Sequence, residues 1–239
     1  MTTNTKHSLV WRVIGGFVVV VPMLVWLQSI GDLNVYFGFA VPTGQLQYIL
    51  AKLFGLYAVT AIWLQVLWVL TGSNRSSRWF MRPSAQHHKW LGMFAAALCV
   101  LHGVCFAWAV SVRTDHLALH LFVPNFAKGY YQFALALGVI AFWSIGAVIY
   151  SGIKRRTSKQ AIWRWLHKVA LVVFSLGFVH GFMIGTESRQ GVMYYFYLSL
   201  ALSLGLAVLV KLSELLHGQF SKHKVVSPVR GIPVREAQK

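Results

Sequence analysis

The chain has 239 residues, 57% of them hydrophobic and 11% charged, with a formal net charge of +17. The apolar residues come in long blocks rather than periodic stripes, which excludes a soluble globular domain. The positive charge is confined to particular loops, a distribution that suits attraction to anionic membrane lipid and argues against a nucleic-acid partner.

A helix needs about 20 apolar residues to span a bilayer. Six blocks meet that length: Leu9–Ile30, Leu46–Thr71, His87–Val112, Tyr130–Ile153, Ile162–Gly185 and Val192–Leu216. The first is too long for a removable signal peptide, carries Arg12 and lacks a small-residue cleavage site. Lys6 precedes it and Asp32 follows it. Arg75, Arg78 and Arg82 stand between blocks two and three, and the mixed set Arg113, Asp115 and Lys128 between three and four. Lys154, Arg155, Arg156 and Lys159 come next, then Glu187 and Arg189. Lys222, Lys224, Arg230, Arg235 and Lys239 follow the last block. This alternation is the positive-inside pattern, so both termini and the two basic loops are expected in the cytoplasm. Trp11, Trp79, Trp90 and Trp163 fall near expected helix ends and read as an interfacial belt. The expected architecture is all-α: an integral, multi-pass six-helix bundle over residues 1–216 with a basic cytoplasmic tail over 217–239. A bacterial inner membrane is the expected location.

Blocks three and five each carry two histidines. Ionisable or metal-binding side chains are costly in a bilayer, which makes them functional candidates. His88 and His102 are 14 residues apart, so an ideal helix separates them by about 21 Å along its axis and about 40° in azimuth. His167 and His180 are 13 apart, or about 19.5 Å. Both blocks start in the cytoplasm and so run parallel, which puts His88 at the depth of His167 and His102 at the depth of His180. Two facing imidazoles at one depth can supply both axial ligands of a heme iron. A zinc site would need its ligands gathered at one place, which the depth separation excludes. One point resists: 13 residues on an ideal helix turn about 140° away from the starting face. Either block five is distorted, with Gly177 as the candidate position, or two hemes sit at different azimuths.

Cys99 and Cys105 lie on one expected helix and cannot reach each other for a disulfide. No Cys-x-x-Cys-His occurs, so covalent c-type heme attachment has no support.

The segment "HKWLG" with a histidine at the far end of its helix, followed by "WRWLHKVALVVFSLGFVHG", resembles the ferric reductase-like transmembrane domain. That family covers ferric-chelate reductases, the membrane halves of NADPH oxidases and the bacterial heme subunit of periplasmic methionine sulfoxide reductase. The resemblance extends over roughly blocks two to six and rests on the histidine spacings of 14 and 13. It implies that His88 and His167 hold an inner heme b, and His102 and His180 an outer one. The methionine sulfoxide reductase subunit usually has a basic residue where His88 stands, so this chain sits nearer the reductases and oxidases with two complete pairs. Unlike the large members, it has only 23 residues after Leu216 and no Gly-rich nucleotide fingerprint. FAD or FMN is therefore expected on a separate partner, a cytoplasmic flavin reductase or free reduced flavin.

Smaller candidates surround this core. His87 could compete with His88, but its spacing of 15 to His102 departs from the family's. His116 and His120 are four apart in an outer loop and could share a metal or be ordinary loop histidines. Arg82, Lys89, Arg164 and Lys168 near the inner level, and Arg113 and Arg189 near the outer, could pair with heme propionates or simply anchor the helices. Phe174, midway between His167 and His180, could fill the space between hemes or pack the core. The expected function is transmembrane electron transfer by a di-heme b cytochrome, from the cytoplasmic flavin donor to an outer-face acceptor such as ferric iron. A quinol-oxidising cytochrome b, a superoxide-producing oxygen reductase and a heme subunit of a periplasmic reductase are the alternatives.

Overall fold

The structure, a computed structural model, describes residues 3–37, 41–72, 84–127, 129–157, 161–185 and 188–224. It comprises α1 (Thr3–Ile30), α2 (Gln45–Gly72), α3 (Ala85–Thr114), α4 (Tyr130–Thr157), α5 (Ala161–Lys168), α6 (Ala170–Ile184) and α7 (Gly191–Lys224). Two short 3₁₀ turns, Leu33–Phe37 and Leu119–Phe122, lie in connections, and no strand occurs among the described residues. Six helical spans are long and apolar enough to cross a membrane, α5 and α6 together forming the fifth. The chain is an integral, multi-pass membrane protein.

Local chemistry sets the helix ends. Ser84, in extended conformation, caps α3 by accepting a hydrogen bond from the His87 N–H at 3.2 Å. Asp115 closes α3 in the left-handed region at φ 56°, which short polar side chains tolerate. Gly44 (φ 76°) lies so close to the end of α3 that an added Cβ would stand 2.6 Å from the Ala109 carbonyl oxygen. The start of α2 can therefore dock directly on α3.

The long spans carry apolar residues on both their buried and their exposed faces. On α7, Leu200, Leu204 and Ala207 are buried while Leu202, Leu206 and Leu209 are each 64% exposed to the outside of the bundle. Such all-round hydrophobicity is stable when the outer face meets lipid. The main core joins α1, α2, α6 and α7 through Val25, Val59, Trp63, Phe174, Phe196 and Leu200. The Trp63 indole N–H donates to Leu200 O (3.2 Å) and Ser203 Oγ (3.1 Å), tying α2 to α7. Trp26 likewise donates to Ile49 O at 2.7 Å, tying α1 to α2. These pairings satisfy indole donors that hydrocarbon could not.

The structure refines two helix boundaries. The fifth span breaks at Val169, not at Gly177, which lies within the continuous helix α6. At the break the Val169 N–H bonds to Leu166 O, three residues back, at 3.1 Å. A 3₁₀ step rotates about 120° against about 100° in an α-helix, so it adds about 20° in the direction that reduces the roughly 140° mismatch. Helix α7 also continues past Leu216 to Lys224, into the segment expected to be tail.

Candidate functional site

Helix α3 packs along α2, while α5 and α6 pack along α4; α3 and α6 approach one another far less closely. The histidines face each other across this opening. The rings of His88 and His167 have centroids 5.9 Å apart, at 74° to one another. Those of His102 and His180 are 6.2 Å apart, at 76°. The amino-terminal histidines pair together and the carboxy-terminal ones pair together, so the two spans run parallel, as the charge pattern implies.

Edge-to-face rings at this spacing also occur as plain aromatic packing. The hydrogen bonds distinguish this arrangement. His102 Nδ1 lies 2.8 Å from Ala51 O on α2, and His180 Nδ1 lies 2.8 Å from Ala134 O on α4. His167 Nδ1 makes a longer contact, 3.4 Å, to Val148 O on α4. A carbonyl oxygen only accepts, so Nδ1 carries the proton and Nε2 keeps the lone pair a metal needs. Carbonyl-anchored imidazoles of this kind are the usual second shell of histidine metal ligands.

The His102–His180 pair, expected on the outer side, lines a cavity of about 320 Å³ between α2, α3, α4 and α6. Its walls are mostly apolar and aromatic, with Ser29, Tyr48, Lys52, Tyr131 and Tyr197 as polar members beside the histidines. The inner pair lies outside this cavity. There the Gln65 amide, from α2, approaches the two ring nitrogens of His88 at 3.4 and 3.3 Å and donates to His88 O at 3.2 Å.

The family described as ferric reductase like transmembrane component matches residues 43–178. The chain belongs to this family. Its members are oxidoreductase components that move electrons across membranes, and such domains generally bind heme. The match takes in His88, His102 and His167 and ends just short of His180, inside the fifth span. Comparison with curated proteins and with solved structures gives no match.

The ring separations of the histidine pairs in this ferric reductase-like chain suit two imidazoles sharing one metal. With metal–imidazole bonds of about 2.0 Å, two imidazoles on opposite sides of one metal have centroids about 6 Å apart. Both pairs stand at that separation, and the outer pair also opens on a cavity.

The other candidates are distributed as follows. His88 rather than His87 faces His167; His87 is exposed, with Nδ1 2.6 Å from Ser84 Oγ and its ring beside Trp68. Phe174 both joins the α2–α7 core and lines the outer cavity. Arg113 stacks on Tyr48 and donates to Gln45 Oε1 at 2.6 Å, and Arg189 stacks on Tyr130 and donates to its hydroxyl and to Met183 O. Both arginines are thus engaged at loop ends rather than in the cavity wall. Lys89 and Lys168 are exposed. Arg82 and the Arg164 side chain lie outside the described residues, although the Arg164 backbone belongs to α5. His116 and His120 are exposed, and among the described residues no three His, Cys, Asp or Glu side chains gather into a metal-binding group.

Sequence reasoning missed Lys52 and Gln65. Both are polar residues inside an apolar span, a signal that was available. The carbonyls of Ala51, Ala134 and Val148 had no side-chain signature to read.

Proposed function

We propose that this chain is a di-heme b cytochrome that carries electrons from a cytoplasmic flavin or flavoprotein to an acceptor on the outer face. The observation that carries the reading is the pair of facing histidine couples, one near each end of the parallel spans α3 and α5–α6. Heme bound between each couple supplies one-electron chemistry at its iron. His88 and His167 would hold the inner heme, and His102 and His180 the outer one. Donation from Nδ1 to backbone carbonyls orients the outer imidazoles and raises the basicity of Nε2. The apolar cavity wall keeps water from the outer couple, and Lys52, stacked on Tyr48, adds a positive charge to that wall. Arg82 and Arg164 have the same proposed role at the inner level.

The membrane is a bacterial inner membrane, with both termini cytoplasmic. That orientation rests on Arg75, Arg78, Arg82, Lys154, Arg155, Arg156 and Lys159 in the two basic loops. The same charge favours an acidic flavoprotein or the phosphate of reduced flavin, with attraction that weakens as salt screens it. Ferric iron is the proposed outer acceptor.

The test uses purified full-length protein with heme-to-protein stoichiometry and reduced-minus-oxidised spectra. Two hemes b per chain are expected. NADH or NADPH alone should leave them oxidised, and adding a flavin reductase with flavin should reduce them. Rapid reduction by nicotinamide alone defeats the flavin-donor reading. Reduction by quinol alone, with no flavin present, transfers the assignment to a quinol-oxidising cytochrome.

A further inference from the structure

Three of the four paired histidines share a feature on the neighbouring helix. The carbonyl that His102 Nδ1 meets belongs to Ala51, and Gly55 lies four residues further along α2. For His180 the carbonyl is that of Ala134 and the glycine is Gly138; for His167 they are Val148 and Gly152, all on α4. In an α-helix the Cα–Cβ bond tilts toward the amino terminus, so a side chain covers the turn before its own Cα. The residue four positions along is therefore the one whose side chain would shield the carbonyl from a lateral donor.

The space at these glycines is filled by imidazole, not by helix backbone. A Cβ at Gly138 would stand 2.5 Å from His180 Nδ1, and one at Gly55 would stand 2.9 Å from His102 Nδ1. At Gly152 the nearest atom would be His167 Cε1 at 3.3 Å. Small residues in membrane helices ordinarily let two backbones approach. Here each one admits a ring.

We propose that Gly55, Gly138 and Gly152 are positioning residues: each uncovers one helix carbonyl so that a ligand histidine can donate its Nδ1–H and present Nε2 to the metal. This rests on the heme reading above. Second-shell partners of metal-bound histidine tune ligand orientation and basicity, and their loss typically costs about 10- to 100-fold in metal affinity or activity. An alanine at Gly55 or Gly138 displaces the ring from its carbonyl and so acts on the outer couple. One at Gly152, where the approach is looser, acts more mildly on the inner couple. Gly146, also on α4, has nothing within 4 Å of an added Cβ and serves as the control.

The test compares wild type, G55A, G138A, G152A and G146A as full-length protein. Heme content, low-temperature EPR and redox titration are measured without any turnover assay. Signals are assigned to levels by the heme lost in His102→Ala and in His88→Ala. G55A and G138A are expected to shift the outer EPR signal and midpoint potential, or to weaken outer heme retention about tenfold, with the inner signals unchanged. G152A should shift only the inner signals, and G146A none. If G138A does not accumulate, the milder G55A and G152A carry the decision. A wild type without bis-imidazole heme signals would sink the heme reading itself. A wild type with both hemes, but glycine variants whose spectra are unchanged or whose hemes are lost together, would overturn the positioning role alone.

Discussion

Replacing His180 with alanine isolates one level of the site. His180 faces His102 at 6.2 Å, and its ring is held by the Ala134 carbonyl. The inner couple lies about 21 Å away along α3, from 14 residues at 1.5 Å each. At that range the two sites share no contacting side chain, and perturbations should be independent apart from electrostatics. A unit charge at 21 Å interacts by about 0.8 kcal/mol at an effective dielectric of about 20, or about 35 mV for one electron. On the proposed di-heme reading, heme content should therefore fall from two per chain to one, and the remaining heme should keep its spectrum with a midpoint shifted by no more than about 35 mV. Pyridine hemochrome analysis and a spectroscopic redox titration measure both quantities. Reduction from the cytoplasmic side should survive. Selective loss of the inner heme, or a shift several times larger in the one that remains, would refute the pairing on which this reasoning rests.

Other outcomes follow from named contacts. The imidazole planes cross at 74° and 76°; if heme were bound between each pair with these planes kept, the oxidised protein should give strongly anisotropic low-spin EPR signals. Ordinary rhombic signals from parallel planes would contradict the ring geometry. Trp63→Phe removes the indole bonds to Leu200 O and Ser203 Oγ. It should lower stability by about 0.5–1.5 kcal/mol in thermal or denaturant unfolding, with heme spectra unchanged because Trp63 lies outside the cavity wall. Leu200→Ala empties a fully buried position between α2 and α7 and should cost about 2–4 kcal/mol; a loss under about 1 kcal/mol would mean that the seam repacks freely.

The bundle was legible in the sequence because a bilayer imposes a length on every span. The apolar blocks agree with the structural spans to within a few residues, as with Leu46–Thr71 against Gln45–Thr71. The break in the fifth span was legible as a problem but not as a place. The 13-residue spacing demands extra rotation, yet no Gly or Pro marks Val169. Gly177 was the natural suspect, and it is instead a smooth helical position beside the outer cavity.

The candidate site divides along a similar line. Histidine identity and spacing are side-chain facts, so the couples could be matched from charge and helical rise alone. What holds each ring is a backbone carbonyl on a different helix, and every residue has one. Only the fold says that Ala51 lies beside His102 and Ala134 beside His180. The glycines four residues on were visible, as "AKLFG", "ALALG" and "VIYSG", but a small residue at that spacing reads first as helix-packing surface. Lys52 and Gln65 were legible by the same rule that picked out the histidines, since both interrupt an apolar span. Their partners explain why they matter in different ways. Lys52 stacks on Tyr48 in the wall of the outer cavity, whereas Gln65 presses its amide against His88 through the room left at Gly92, where an added Cβ would stand 2.8 Å from Gln65 Nε2. The outer couple is therefore held by two helix carbonyls at 2.8 Å, and the inner one by a looser carbonyl contact and a side-chain amide. The His102–His180 couple thus opens on the cavity with each ring seated on a carbonyl of a neighbouring helix.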